Sequence, residues 1–206
     1  MDTVERLDAL DPVRWWLGWH PFGSVLGGIA VGVVAGYAVV PWLVVVGSIL
    51  GIAAFAVGAL YVDSEASAIV AAFETEGPEI ALASLDPDDA AAVTDSAVEP
   101  ADSLSPPMLD ERSEYAAAAV AVGDTALLVS DRVELDLVAR SVTTPGEPRR
   151  YAYADVGAFR YANGTLSVDI DGETESRPLP ESLREAVAEA ERRRDAFASA
   201  STSAHA

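Results

Sequence analysis

The longest apolar pattern in the chain covers residues 15–62, 48 consecutive positions without a formal charge when His20 is counted as neutral. One helix over this run would be about 72 Å long at roughly 1.5 Å per residue. The hydrocarbon core of a bilayer is about 30 Å thick and needs about 20 residues. Two spans therefore fit, and Pro41 lies where the chain must fold back, because proline disfavours helix at Val40 and suits the first turn of a new helix. We predict a transmembrane hairpin over 21–62, with spans over 21–40 and 42–62.

Aromatic residues flank both predicted spans, as is typical of membrane interfaces. One interface would hold Trp15, Trp16, Trp19, Phe22 and Tyr61, and the other Tyr37 and Trp42. Residues 1–20 are therefore predicted to form an amphipathic interfacial segment. Arg6 and Arg14 precede the first span, whereas the fold-back holds no basic residue. Positive residues stay on the cytoplasmic side, so we expect a multi-pass protein of the cell membrane with both termini in the cytoplasm.

Small residues recur every four positions within the predicted hairpin and form stripes along its helices. They are Ser24, Gly28, Gly32 and Gly36 on the first span, and Gly47 and Gly51 on the second. Lipid is as apolar as leucine, so close backbone approach at small residues is what draws such helices together. We expect the stripes to pack the two spans against each other. Assembly of a homo-oligomer through the same stripes is the alternative.

Residues 63–114 are predicted to be a helical extension followed by an acidic, proline-containing linker. The pattern "DSEASAIVAAFETE" continues the second span as a helix, and Gly77–Pro78 is expected to end it. From Leu85 to Glu114 prolines, acids, serine and alanine dominate and apolar periodicity is absent. This composition favours disorder, with a short helix over 86–93 as the alternative.

From Tyr115 onward the period of the pattern changes to two, which predicts short β-strands. Gly123–Asp124 and Ser130–Asp131 separate the first strands. Asn163–Gly164 is the strongest hairpin signal, because both residues adopt the positive φ that a tight two-residue turn requires. In the strand that follows it, apolar and polar residues alternate, which predicts one buried and one solvated face.

A C-terminal helix is predicted after Pro180. Leu183, Val187 and Ala190 would form its packing face, and arginines 192–194 would lie in its last turn, where they complement the helix dipole. Residues 199–206 are predicted to be a disordered tail. Antiparallel strands followed by one amphipathic helix, over "TALLVSDRVELD", "YAYADVGAFRYANGTLSVDIDG" and this helix, resemble the pleckstrin-homology-like (PH-like) domains that prokaryotic membrane proteins append to short helical hairpins.

The predicted fold class is thus that of an α+β membrane protein. An N-terminal two-helix transmembrane hairpin leads through an acidic linker to a small antiparallel β-barrel or sheet over 115–198, closed by a C-terminal helix. Its net charge is −20, all 13 basic residues are arginine, and cysteine is absent. The lysine-free acidic composition resembles that of membrane proteins from halophilic archaea. It argues against nucleic acid as a partner, because phosphates need basic contacts.

The sequence contains few motifs of the kinds that form catalytic, cofactor or metal sites. His20 is expected to be an interfacial anchor and His205 part of the tail, so no catalytic, cofactor or metal site is predicted. Arg149 and Arg150 form a basic pair at the start of a predicted strand. They are expected either to belong to a ring of charged residues around the barrel or to contact a partner. We therefore expect a non-enzymatic, membrane-anchored interaction or scaffold module that binds the bilayer and a protein partner. The alternative is a small accessory subunit of a membrane transporter or membrane enzyme complex.

Overall fold

The computed structural model describes residues 2–38, 42–85, 93–101 and 112–203. The predicted fold-back at Val40 and Pro41, most of the acidic linker and His205 lie outside these residues. The helices are α1 (Thr3–Ala9), α2 (Pro12–Trp19), α3 (Pro21–Ala38), α4 (Leu43–Ala83) and α5 (Arg184–Ser203). The strands are β1 (Val93–Pro100), β2 (Glu114–Val122), β3 (Ala126–Val129), β4 (Val133–Asp136), β5 (Ser141–Val142), β6 (Arg149–Ala152), β7 (Val156–Ala162), β8 (Thr165–Ile170) and β9 (Glu173–Pro178).

The chain divides into two units. The helical unit comprises Met1–Ala72, Asp102–Glu114 and Asp136–Ser141, and the β unit comprises Phe73–Ala101, Tyr115–Leu135 and Val142–Ala206. Helix α4 contributes residues to both units.

The helical unit begins with two short helices that aspartates cap. The Asp2 carboxylate accepts a hydrogen bond from Glu5 N (2.7 Å), and the Asp11 carboxylate accepts bonds from Val13 N and Arg14 N (2.9 and 3.0 Å). Such caps satisfy the free N–H groups of the first turn. Helices α2 and α3 meet at His20 with a bend of 105°. The N–H of Asp11 also donates to the Tyr61 hydroxyl (3.0 Å), which ties the start of α2 to α4.

Helix α4 is 41 residues long and continues through Gly77 and Pro78, so the prediction that these two residues end the helix is wrong. Packing within the β unit explains the difference. Phe73 and Ala81 are fully buried, and Gly77 lies so close to β2 that a Cβ placed on it would be 3.0 Å from the Ala117 side chain. Burial of this face offsets the lost hydrogen bond and the steric cost of an internal proline.

The β unit consists of two antiparallel sheets, one of which is curled into a half-barrel. In the larger sheet the strand order is β5-β4-β2-β3-β6, with β1 also paired to β2, and the smaller sheet has the order β7-β8-β9. The core between them includes Val120, Leu127, Phe159 and Leu166. A short 3-10 helix (Glu181–Leu183) leads into α5. Its Leu183 packs on this core together with Val187 and Ala190 of α5, which confirms the predicted packing face of the C-terminal segment.

Strand β1 was not expected. All eight of its residues pair with β2, from Val93 opposite Val122 to Pro100 opposite Tyr115. The prediction of a linker is therefore wrong for this stretch. Its sequence "VTDSAVEP" lacks a continuous apolar face, and the strand forms because the alanine-rich β2 supplies an edge to which it can hydrogen-bond.

The C-terminal segment also differs from expectation. Helix α5 extends to Ser203, so the prediction of disorder is wrong for residues 199–203. Arginines 192–194 consequently lie inside the helix rather than in its last turn. Arg193 bonds Glu189 and Asp124 (2.7 Å each), and Arg192 bonds Glu189 (2.9 Å). These arginines act through ion pairs with individual carboxylates, and the prediction that they complement the helix dipole is wrong.

The hairpin at Asn163–Gly164 is confirmed. Both residues have positive φ (50° and 69°), and they join β7 to β8. In β8, Leu166 and Val168 are buried, as the alternating pattern predicts. A second turn of the same kind at Asp171–Gly172 (φ 53° and 85°) joins β8 to β9. The sequence carries its Asp-Gly signal, although it was not singled out.

Within the described residues, one helix is long and apolar enough to cross a membrane, over Val45–Ala83 of α4. Helices α2 and α3 pass the same criterion only as a bent pair, Pro12–Trp19 with Pro21–Val34. The two-span transmembrane hairpin accordingly stays a prediction.

Candidate functional site

Helices α3 and α4 pack very closely against each other in the helical unit. A Cβ built on Gly28 would lie 2.5 Å from the carbonyl oxygen of Gly47 and 2.6 Å from the Cα of Gly51. A Cβ on Gly47 would in turn lie 2.5 Å from Gly28 O and 2.6 Å from Gly32 Cα. No side chain fits at these points, so the backbones of the two helices touch directly. This close approach maximises dispersion contact between the helices.

Ser24 lies at the same contact and is 5% exposed. Its single hydroxyl hydrogen lies within reach of both Leu17 O and His20 O (3.1 Å each), so the Ser24 side chain is hydrogen-bonded on its own side of the contact. A Cβ on Gly51 would lie 2.9 Å from Ser24 O. The structure therefore brings together five of the six predicted packing residues, and the surroundings of the sixth, Gly36, lie outside the described side chains.

A second close approach joins Gly18 of α2 to Gly58 of α4. A Cβ on Gly18 would lie 2.5 Å from Gly58 O, and one on Gly58 would lie 2.6 Å from Gly18 N. The sequence pattern did not single out Gly18, because it lies six residues before Ser24 and outside the four-residue repeat. Its position among tryptophans was the only available signal.

The outward faces of α3 and of the first half of α4 are apolar and exposed. Phe22, Val34 and Leu60 are 82%, 74% and 73% exposed. Other exposed apolar residues on these helices are Leu26, Val31, Val33, Val45, Ile49, Leu50, Ile52 and Val57. We call this set the apolar belt. An exposed apolar surface of this extent marks a site of contact with a membrane or another protein.

The basic pair lies at the start of β6, an edge strand of the larger sheet. Arg149 is opposite Val129 and Arg150 is opposite Leu128, and both arginines are exposed. Successive strand residues point to opposite faces, so the two side chains do not form one basic patch. Arg149 lies on the same side of β6 as Tyr151, two residues further along.

A cluster of ionic and polar groups surrounds that side of β6. Glu175 Oε1 lies 3.0 Å from Arg177 Nε, and Arg177 Nη1 lies 3.9 Å from Asp131 Oδ1. The other oxygen of Asp131 accepts a hydrogen bond from Gly146 N (3.2 Å). With Tyr151 and Arg149, the residues Asp131, Glu175 and Arg177 form what we call the β6–β9 cluster. Sequence patterning does not reveal it, since its members come from three separate segments of the chain.

Interactions within this cluster keep Glu175 and Tyr151 in fixed protonation states at neutral pH. The hydrogen bond from Arg177, aided by Tyr151 and the charge of Arg149, holds the pKa of Glu175 below its ordinary value. Burial, followed by the negative charge of Glu175, raises the pKa of Tyr151 to about 12. At neutral pH the carboxylate is therefore ionised and the phenol protonated. Such a cluster offers fixed charges to a polar partner rather than a group that exchanges protons near pH 7.

Catalytic and metal sites were not predicted. His20 lies at the bend between α2 and α3, with its ring centroid 5.1 Å from that of Trp16. Within the described residues, no group of three or more His, Cys, Asp or Glu side chains is arranged to hold a metal ion.

Comparisons of the chain with protein-family models, with curated proteins and with solved structures found no match.

Proposed function

We propose that this protein is a non-enzymatic, membrane-anchored interaction module. In this proposal α3 and the first half of α4 cross the bilayer as a hairpin, and the β unit binds a protein partner in the cytoplasm. The observation that carries the proposal is the apolar belt. Burying it in water-free surroundings would gain roughly 25 cal/mol for each Å² removed from water, and lipid covers both helices at once.

The β unit supports the interaction role. Its antiparallel strands and closing helix are the features on which the resemblance to PH-like domains rests, and we propose that the unit serves as a binding platform. The exposed Arg149 and the β6–β9 cluster give this platform a charged edge. We propose this edge as the partner-contact surface.

The alternative, an accessory subunit that docks on larger helices through its glycine stripes, has less support. Gly28, Gly47 and Gly51 contact one another within the chain. The same internal contact disfavours a homo-oligomer built through these stripes.

Labelling of single introduced cysteines tests the membrane anchor. The sequence contains no native cysteine, so only the introduced residue can react. We would express Trp42→Cys, Ile49→Cys and Thr174→Cys variants and treat intact cells with a membrane-impermeant maleimide. In intact cells the proposal predicts that only Trp42→Cys is labelled. Thr174→Cys should be labelled after the cells are permeabilised, and Ile49→Cys only after the protein is denatured. The unmodified chain is the blank.

Two outcomes would contradict the proposal. Labelling of Ile49→Cys as fast as Thr174→Cys in the folded protein would place the apolar belt in water. Labelling of Thr174→Cys in intact cells would place the β unit outside the cell.

A benzophenone attached at Arg149→Cys tests the partner surface in the same cells. We expect a discrete cross-linked product that disappears when Glu175 and Arg177 are both replaced by alanine. A product of twice the chain mass would instead identify a second copy of the chain and contradict a separate protein partner.

A further inference from the structure

A cavity of about 220 Å³ lies in the helical unit between α2 and the turn that follows β4. Its lining includes Trp15, Trp16, Trp19 and His20 from the α2 side, and Arg140 from the turn. Three of the four tryptophans of the chain therefore meet at one cavity. Pockets for drug-sized ligands measure roughly 300–1,000 Å³, so this one suits a smaller group.

Hydrogen bonds from distant parts of the chain build the wall that carries Arg140. Trp15 Nε1 donates to Leu137 O (2.7 Å), and Leu137 N donates to Ser113 O (2.8 Å). The Asp136 carboxylate accepts a bond from Ala139 N (2.8 Å) and closes the turn. Arg140 itself has φ of 56°, a conformation that residues other than glycine adopt only when their surroundings hold them there. The turn thus presents Arg140 in a defined position.

This cavity is lined by a positively charged residue, Arg140, although the chain as a whole is strongly acidic. The chain has 33 acidic residues and a net charge of −20, yet among the described residues no carboxylate lines the cavity. The nearest carboxylates in sequence, Asp11 and Asp136, accept hydrogen bonds from backbone N–H groups. In the part of the chain that the structure describes, no carboxylate forms an ion pair with Arg140. With respect to this described part of the chain, the guanidinium keeps its N–H donors available to an anion.

A second donor is also without a partner. Trp19 is 5% exposed, and its indole N–H has no acceptor among the described residues. A buried donor in this state carries the full cost of its lost hydration. The Nε1 atom is itself covered, so a ligand would reach it after a rotation of the ring toward the cavity.

We propose that this cavity binds the phosphate group of an anionic lipid headgroup. Arg140 would pair with phosphate oxygens through its fork of N–H donors, and Trp19 would donate a further hydrogen bond. The lipid source follows from the exposed Phe22 at the start of α3, two residues beyond His20, because it places the cavity beside the apolar belt. The proposal rests on the membrane anchor proposed above. Free inorganic phosphate presents the same chemistry and is the competing source.

Intrinsic tryptophan fluorescence of the full chain in a neutral detergent tests this assignment directly, since three of the four tryptophans line the cavity. We would titrate short-chain phosphatidylglycerol, short-chain phosphatidylcholine and inorganic phosphate in separate experiments. We expect a saturable change in tryptophan fluorescence with phosphatidylglycerol. Phosphatidylcholine should bind about tenfold more weakly, because its choline cation opposes the contact with Arg140. Inorganic phosphate should also bind about tenfold more weakly, because water competes for its charge-assisted contact.

Arg140→Asn is the decisive variant, because asparagine tolerates the left-handed backbone and removes only the charge. It should weaken phosphatidylglycerol binding at least about tenfold, Arg140→Lys should retain most of the binding, and Trp19→Phe should give an intermediate loss. Arg149→Asn, which removes the same charge from the β unit, should bind as the unmodified chain does.

If Arg140→Asn binds phosphatidylglycerol as tightly as the unmodified chain does, the proposed binding site is wrong. Inorganic phosphate that binds as tightly as phosphatidylglycerol would overturn the lipid source. Neither outcome depends on insertion into a bilayer, so failure of this inference is distinguishable from failure of the anchor, which the cysteine labelling reports.

Discussion

Two neighbouring glycines in α3 show how far a single position decides the packing of the helices. A Cβ at Gly27 would meet nothing within 4 Å, whereas a Cβ at Gly28 would meet the backbone of Gly47 and Gly51 within 2.6 Å. The two residues have the same helix propensity and the same side chain. Only the surface that each one faces differs.

Gly28→Ala should therefore destabilise the protein, and Gly27→Ala is its matched control. Alanine in a helix is intrinsically better than glycine by about 0.5–1 kcal/mol, so Gly27→Ala should leave the melting temperature unchanged or raise it. At Gly28 the added methyl forces the helices apart, at a cost of about 1–3 kcal/mol. Thermal unfolding in detergent measures both. Equal melting temperatures for the two variants would contradict the direct backbone contact.

Glu175 gives the β unit a dependence on acid pH. Its pKa is held below the ordinary value, chiefly by the hydrogen bond from Arg177. The contribution to stability is thus fully present above the ordinary pKa of about 4.3 and is lost as pH falls through the lower, folded-state pKa. Because the pair is partly solvated, its contribution should be on the order of 0.5 kcal/mol.

Glu175→Gln should accordingly lower the melting temperature at pH 7, and the difference from the unmodified chain should shrink as pH falls from about 4.3 toward 3. Glu173→Gln removes the same charge from the same strand and serves as the control. A difference that persists unchanged at pH 3 would show that the substitution acts through packing rather than through the ionised carboxylate.

At the scale of elements, α4 is unusual because it carries three different environments along 41 residues. On one side its first half exposes apolar side chains, and on another it contacts α2 and α3 at Gly47, Gly51 and Gly58. Its later turns pack on β2 through Phe73 and Gly77. Helix propensity alone would end it at Gly77–Pro78. Tertiary packing continues it, so Pro78 is retained at a local cost in hydrogen bonding.

Replacement of this proline should stabilise the protein. Pro78→Ala restores an N–H that can donate to the carbonyl of Glu74 and removes the ring clash, a gain of about 1–3 kcal/mol. Pro12→Ala is the control, since Pro12 occupies the first turn of α2, where proline costs nothing. Guanidinium or thermal unfolding would report the difference. A lower stability for Pro78→Ala would mean that the packing of α4 on β2 requires a bend at this residue.

At the scale of the whole molecule, charge is the dominant feature. Residues 63–206 hold 29 acidic residues and 11 arginines. Like charges at this density repel one another and oppose folding. From the acidic, lysine-free composition we propose that the protein works in a salt-rich cytoplasm.

The full chain in a neutral detergent should therefore melt at a higher temperature as KCl rises from 0.01 to 1 M. Over this range the Debye length falls from about 30 to about 3 Å, and surface carboxylates cease to sense one another. Sucrose at matched osmolality stabilises by exclusion without screening and is the control. A melting temperature that rises no more with KCl than with sucrose would contradict the halophilic interpretation.

Local chemistry determined the features that the sequence predicted correctly. Asn163–Gly164 specifies its turn through the φ values of two residues, and the amphipathic face of α5 follows from helical spacing alone. The uncharged run over residues 15–62 likewise favours long apolar helices, whatever surrounds them. Each of these depends on neighbours along the chain.

Tertiary structure decided the rest, because the partners are far apart in sequence. Strand β1 has too little apolar alternation to be recognised, and it forms because β2 presents a free edge. Helix α4 passes Pro78 because a buried face continues beyond it. The cavity at Arg140 exists because Trp15 bonds Leu137, 122 positions away, and no spacing rule within a helix or strand reaches across that distance.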